Sequence, residues 1–335
     1  MIAVSGATGF LGAYVVCSLL KRGHTVRALK RKSSNLSEFN YIYSLCFNSK
    51  NNHPNLFWVE ADVLDVPSLE DAFEGVDEVY HCAAVVSFHS SDKNNMYRIN
   101  VQGTANMVNI ALLKGIKKFA YISSIAALGR EKSGVEISEQ TKWTNSKLNS
   151  NYAISKYKAE MEVWRASEEG LQVVVVNPGV ILGAGNWDKG SCALFKMVQK
   201  GMPFFTNGIN GYVDVRDVAE VTIQLMEQNI FKERFVLVSE NISMQNFLNK
   251  AADVLNTKKP YIKINRFLAE VAWMSTALLS FFTRIKPAIT KETARASLNQ
   301  YYYSNTKIKQ KINYTFIPIE ETINYSCKQL LKQNT

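Results

Sequence analysis

Two side chains four residues apart, Tyr152 and Lys156, carry the clearest chemistry in the sequence. On a helix, positions four apart lie about 6 Å along the axis on one face, so the lysine ammonium can sit beside the phenol. A free phenol titrates near about 10 and is a poor acid or base at neutral pH. A cation at about 4 Å in a partly shielded site is worth roughly 4 kcal/mol, enough to lower that value by about three units. Such a tyrosine can pass a proton to a carbonyl oxygen or take one from a hydroxyl. Tyr303 and Lys307 repeat the spacing with nothing else around them to suggest a site. What sets Tyr152 apart is Ser123-Ser124 at the end of an expected strand, where open α/β sheets bind ligands. Ser124 can donate to the same substrate oxygen, and the constellation carries the inference.

The second cluster is Ser5-Gly6-Ala7-Thr8-Gly9-Phe10-Leu11-Gly12, between a short apolar strand and a helix reaching about Lys21. Gly6 permits a tight turn, Gly9 a close backbone approach to a pyrophosphate, and Gly12 packing of the helix on the sheet. Amides around Thr8, Phe10 and Leu11 at the helix N-terminus then face the phosphates. Glycine spacing alone is weak; the strand and helix around it make a dinucleotide site the favoured reading. The second strand ends Val26-Arg27-Ala28-Leu29-Lys30-Arg31-Lys32, with no carboxylate to hold ribose hydroxyls. Lys30, Arg31 and Lys32 suit a 2′-phosphate, so NADP is expected over NAD. Asp62, with Val63 just past the third strand, is placed to accept from the adenine amino group.

These residues need a frame. Short apolar runs at Ile2 to Ser5, Thr25 to Lys30, Leu56 to Glu60, Glu78 to Cys82, Phe119 to Ser123 and Val173 to Asn177 alternate with helical stretches. That pattern predicts an α/β, Rossmann-type doubly wound parallel sheet with a smaller mixed C-terminal substrate lobe. Residues 1–177 form the dinucleotide-binding domain, with 212–240 returning to it; 178–211 and 241–335 form the substrate lobe. The polar segment 31–55 reads as a long connection. Asp217 and Glu220, three residues apart, fit an N-cap and its reciprocal partner. The apolar run Phe267 to Phe282 is short of the roughly 20 residues a membrane span needs, and a buried or substrate-facing helix is favoured. Arg266, Arg284 and Lys286 beside it keep contact of 267–282 with a membrane surface open.

Composition bounds the rest. The chain has 335 residues, 47% hydrophobic and 20% charged, with 17 Gly and 7 Pro, which excludes disordered and collagen-like classes. The net charge is +10, but the basic residues are dispersed, so a solvated basic surface is preferred to a nucleic-acid footprint. Five scattered cysteines without a C-x-x-C, and no metal-like pairing with the four histidines, indicate a reduced compartment and no metal site. Ile2 to Val4 runs into glycines without a basic lead, so the cytoplasm is the expected location.

Taken together, the chain resembles the extended short-chain dehydrogenase/reductases of the NAD-dependent epimerase/dehydratase superfamily, nearest the dihydroflavonol 4-reductase and 3β-hydroxysteroid dehydrogenase-like group. Besides the glycine turn, Ser124 and Tyr152 to Lys156, the matches are His81-Cys82-Ala83-Ala84, Asn100 to Thr104, Asn177 to Gly183 and Tyr212 to Ala219. They cover residues 1 to about 240; the last ninety or so match loosely. The resemblance implies that Tyr152 moves the proton, that Lys156 tunes it and binds the nicotinamide ribose, and that Ser124 donates to the substrate oxygen. It places Ala83 and Ser123 along the cofactor, Pro178 and Val180 at the carboxamide side of the nicotinamide, and Asn100 in support of the proton path. It also implies a homodimer through the helices holding Asn100 and Tyr152.

Departures narrow the reaction. Ser124-Ile125-Ala126 stands where sugar-nucleotide dehydratases carry Thr-Asp-Glu, so the acid and base needed to expel water are missing. Val180 and Asn210 stand where epimerases place an Asn and an Arg on the substrate diphosphate. The favoured reading is an NADP(H)-dependent oxidoreductase acting on a ketone, aldehyde or secondary alcohol of a fairly apolar small molecule. The alternative is a nucleotide-sugar epimerase with tightly bound NAD.

Overall fold

The computed structural model describes residues 1–48, 53–130, 134–146, 149–283 and 290–333. Valine, isoleucine and aromatic runs become strands here because both of their faces are covered by helices, which leaves no polar alternation in the sequence. Strand β1 (Ile2–Ser5) leads through the glycine turn into helix α1 (Phe10–Lys21), then β2 (Val26–Lys30), α2 (Ser37–Phe47), β3 (Leu56–Glu60), α3 (Val66–Ala72) and β4 (Glu78–His81). Helix α4 (Gly103–Leu113), β5 (Lys118–Ile122), α5 (Asn151–Glu168) and β6 (Gln172–Pro178) complete the first part. β7 (Val180–Leu182), β8 (Ile209–Asp214), α6 (Val215–Glu227), β9 (Glu233–Leu237) and β10 (Glu240–Ser243) follow.

Seven parallel strands form the main sheet in the order β9-β6-β5-β4-β1-β2-β3. Alternate residues face opposite layers: Ile2 and Val4 pack with α1, α2 and α6, whereas Ala3 packs with α3, α4 and α5. The strand order reverses at β1, so the loops after β1 and β4 diverge and open a crevice at the carboxyl ends. Ser5, His81 and Tyr121 lie in register across β1, β4 and β5 at that edge. A three-stranded mixed sheet, β10-β8-β7, carries Asp214 back toward α6. Behind it α7 (Met244–Leu255) and, at the C-terminus, α9 (Ile319–Gln333) bury Phe247, Leu248, Ile323 and Cys327 in one cluster.

Three local expectations are corrected. Segment 31–55 is not an extended connection: α2 occupies its middle because Phe39, Ile42 and Tyr43 recur on one face and bury against α1. The N-cap of α6 is Asp214, whose carboxylate accepts from Arg216 N at 2.8 Å. Asp217 instead points inward and accepts from Tyr314 Oη at 2.8 Å and Ile317 N at 3.0 Å, while Glu220 pairs with Arg22. The apolar run 267–282 does form a helix, α8 (Arg266–Thr283). Ala269 is buried, but Phe267, Val271 and Met274, at positions i, i+4 and i+7, are exposed, so that stripe is not a core face. Arg284 and Lys286 lie outside the described residues. Among the described residues, no helix is long and apolar enough to cross a membrane.

Candidate active site

The glycine turn is shaped by what it leaves out. Gly6 has φ +67°, and a Cβ there would lie 2.7 Å from the backbone nitrogen of Ala83. Its carbonyl accepts from Gly9 N at 3.0 Å, and a Cβ on Gly12 would run into that same carbonyl oxygen. Gly9 is the N-cap of α1 and brings no side chain across the first-turn amides. Those amides are therefore open to an anion, which helix partial charge favours.

The turn faces a cleft of about 560 Å³ that runs along the carboxyl edge of the main sheet. At one end stand Lys30 and Arg31 after β2, with Asp62, Val63 and Ala61 opposite them after β3. At the other stand Ser124, Tyr152, Lys156 and Pro178. A bare-backbone cradle midway along an elongated cleft fits a dinucleotide, with its pyrophosphate at the turn and a base at either end.

Ser124 follows β5 and caps a short turn, accepting from Ala126 N at 3.1 Å. It lines the same cleft as the Tyr152 phenol. Tyr152 sits in the first turn of α5, whose start is fixed by Ser150 accepting from Ala153 N at 2.9 Å. Phe88 meets its ring edge-on at 6.0 Å. One helical turn later, Lys156 is 1% exposed and donates to Tyr121 Oη at 2.8 Å and to the Ile122 carbonyl at 2.7 Å. Burial brings its pKa down to about 7, against the upward pull of Glu160 and then Cys82. Burial likewise pushes the Tyr152 phenol up, and the influence of Ser124 only partly offsets this. The acidification of the phenol expected from Lys156 does not arise here: both of those ammonium bonds go to β5, and burial dominates the phenol.

Residues 2–237 match the model of the NAD dependent epimerase/dehydratase family. The chain belongs to this family. A candidate dihydroflavonol 4-reductase of Synechocystis sp. is 30% identical over 330 residues, 96% of this chain and 91% of that protein. Cinnamoyl-CoA reductase 1 of Petunia hybrida is 26% identical over 98% of this chain and 92% of its own. The crystal structure of gox2253 superposes with a TM-score of 0.82 at 28% identity, covering 99% of this chain and 98% of that one. As a member of the epimerase/dehydratase family, the chain is an NAD(P)-dependent enzyme of the extended short-chain dehydrogenase/reductase kind.

Most residues singled out from the sequence meet in this one cleft, and a few do not. Lys32 is exposed and lies off the lining; Ser34 takes its place because the chain turns there, Arg31 N donating to Ser34 Oγ at 3.0 Å. Val180 is off the lining too, since strand alternation turns its neighbours Gly179 and Ile181 inward instead. Asn100 is buried outside the cleft: its amide bonds both backbone groups of Val85, at 2.7 and 2.9 Å, and Ser155 Oγ at 3.0 Å. It therefore anchors the loop after β4. Ser123 lines the cleft, but its hydroxyl turns away to Glu160. The Asp62 carboxylate accepts from Leu64 N at 2.9 Å, which shapes the loop after β3. Tyr303 and Lys307 do not share a helix: Tyr303 is on a strand, and Lys307 pairs with Glu233. Sequence reasoning missed Tyr121, Thr104 and Glu160, whose polar ends sit inside an apolar-looking strand or helix core.

Proposed function

We propose that this enzyme is an NADP(H)-dependent oxidoreductase that reduces a ketone or aldehyde, or oxidises a secondary alcohol, within a fairly apolar small molecule. The observation that carries this reading is the convergence of Ser124, Tyr152 and Lys156 on the wall of one cleft that Lys30 and Arg31 also line. The names of the reductase relatives agree with it.

Lys30 and Arg31 favour a 2′-phosphate, and no carboxylate stands in β2 or the three residues after it. The dinucleotide, when bound, supplies or accepts a hydride. Ser124 holds the substrate oxygen, and Tyr152 gives that oxygen its proton or removes it. Lys156, with two protons committed to β5, holds the third toward the cleft, where it can take a ribose hydroxyl and favour the phenolate as it forms. Phe88 keeps water from the phenol. A homodimer through α4 and α5 is supported by the exposure of Leu113, Ile154 and Met161 on those helices.

Titration with NADPH and NADH, followed by a carbonyl screen with Tyr152→Phe as control, tests the reading. NADPH should bind more tightly, and Tyr152→Phe should keep that affinity while losing about 10²- to 10⁴-fold in turnover. Full turnover by the variant refutes the assignment of Tyr152. Copurified NAD, with NAD preferred to NADP, points to nucleotide-sugar epimerisation instead.

A further inference from the structure

We infer that Tyr121 is a positioning residue that aims the Lys156 ammonium and leaves one of its protons for the cleft. This rests on the proposed role of Lys156 at the cofactor.

The proton positions in this buried network can be assigned one by one. The Thr104 hydroxyl donates its single proton to the Asn100 carbonyl at 2.6 Å, since a carbonyl can only accept. Its oxygen then accepts from His81 Nε2 at 3.0 Å. His81, fully buried and held neutral, thus carries its proton on Nε2. Its Nδ1 accepts from Ser5 Oγ at 2.6 Å, and Ser5 Oγ in turn accepts from Ala83 N at 3.3 Å. An ammonium can only donate, so the Tyr121 oxygen accepts from Lys156 at 2.8 Å. The Ile122 carbonyl takes a second ammonium proton at 2.7 Å. An ammonium has three, so one direction remains, and Lys156 lines the cleft.

Strand register makes the chain possible. Ser5, His81 and Tyr121 are aligned partners across β1, β4 and β5, and the Tyr121 and His81 rings stack at 5.6 Å. The same line of bonds reaches Ser5 and Ala83 beside the glycine turn. A phenylalanine at 121 would keep the stack and remove the side-chain acceptor of the ammonium, leaving only the Ile122 carbonyl on that strand.

The groups facing Lys156 are Tyr121 on β5, His81 and Cys82 at the end of β4, and Tyr152 and Glu160 on its own helix. Of these, Glu160 and Cys82 favour the ammonium. Removing the Tyr121 acceptor removes another such influence, so Lys156 should release its proton at lower pH.

The test is the affinity for NADPH, read from nicotinamide fluorescence across pH, for wild type, Tyr121→Phe, Tyr121→Leu and Lys156→Met. Tyr121→Phe should match wild type within about twofold near about pH 6 and bind about five- to tenfold more weakly near about pH 8. Tyr121→Leu, which also removes the acceptor, should move the profile the same way and decides the matter even if Tyr121→Phe does not fold. A Tyr121→Phe profile, or in its absence a Tyr121→Leu profile, that superimposes on wild type while Lys156→Met binds weakly overturns the inference alone. A wild type that binds neither NADPH nor NADH, or a Lys156→Met indistinguishable from wild type, overturns the functional reading of the site and this inference with it.

Discussion

The Ser123 hydroxyl donates to Glu160 Oε2 at 2.6 Å, so two adjacent serines serve opposite sides of the sheet edge. Ser124 lines the cleft with the phenol, while Ser123 ties the end of β5 to α5. Glu160 is fully buried and also accepts from Asn177 Nδ2 at 3.0 Å, Trp164 Nε1 at 3.2 Å and Arg234 Nη1 at 3.1 Å. Asn177 Nδ2 further holds the Ser124 carbonyl at 3.0 Å, which positions the end of β5 where Ser124 meets the cleft. Glu160→Ala should cost about 3 kcal/mol or more in unfolding free energy, because a partly buried arginine and three other donors lose their acceptor. Glu160→Gln, which keeps two acceptor positions at most, should cost about 1–2 kcal/mol. Urea denaturation checks both; an alanine variant as stable as wild type would refute the anchoring role.

Gly6→Ala should damage the turn twice. The left-handed backbone costs a residue with a Cβ about 1–2 kcal/mol, and that Cβ would also press on the backbone of Ala83. Because the turn packs directly on Ala83 and both line the cleft, the expected result is a lower Tm and loss of dinucleotide binding by about tenfold or more. Calorimetry of NADPH binding measures it, and unchanged affinity would remove Gly6 from the cofactor cradle.

How far the sequence reveals all this depends on which residues act through pattern and which through packing. The six strand runs of the first half and the glycine turn are legible because backbone geometry dictates residue type: apolar on both faces, and glycine where φ is positive. Tyr152, Lys156 and Ser124 are legible because helical spacing and strand ends are local. Lys32 and Val180 lie off the cleft lining, Lys32 past a turn of the chain and Val180 by strand alternation, which no local motif encodes. Asp217 looks like a cap because its spacing to Glu220 is right, yet Tyr314 and Ile317, about a hundred residues on, claim it. Tyr121 reads as one more aromatic in a buried strand until Lys156 is brought to its hydroxyl by the fold.

Arg31 should set cofactor preference with little effect on the fold. Its backbone is held by Ser34, and it lines the end of the cleft where no carboxylate from β2 competes. Arg31→Ala removes a bidentate partner for a 2′-phosphate and nothing that NAD would use. NADP affinity should fall about tenfold while NAD affinity stays within about twofold. Parallel titrations decide it, and equal losses for both dinucleotides would assign Arg31 to the shared adenosine rather than to the phosphate.

Asp217 should make stability depend on pH in a definite direction. Burial raises its pKa from 3.8 to about 7, against the lowering effect of the bonds from Tyr314 and Ile317. Between those values the folded chain binds a proton that the unfolded chain has lost, so stability contributed by this group is full below the lower value and is lost as pH rises through about 7. Asn is isosteric with the protonated acid: its oxygen can accept from Ile317 N and its NH₂ can donate to Tyr314 Oη. Asp217→Asn should therefore flatten the pH dependence across that window and leave the variant at least as stable as wild type above about pH 7. Urea midpoints at about pH 5 and about pH 8 test this. A variant whose deficit relative to wild type grows with pH would show that the carboxylate is ionised in the fold and is held by charge-assisted bonds to Tyr314 and Ile317.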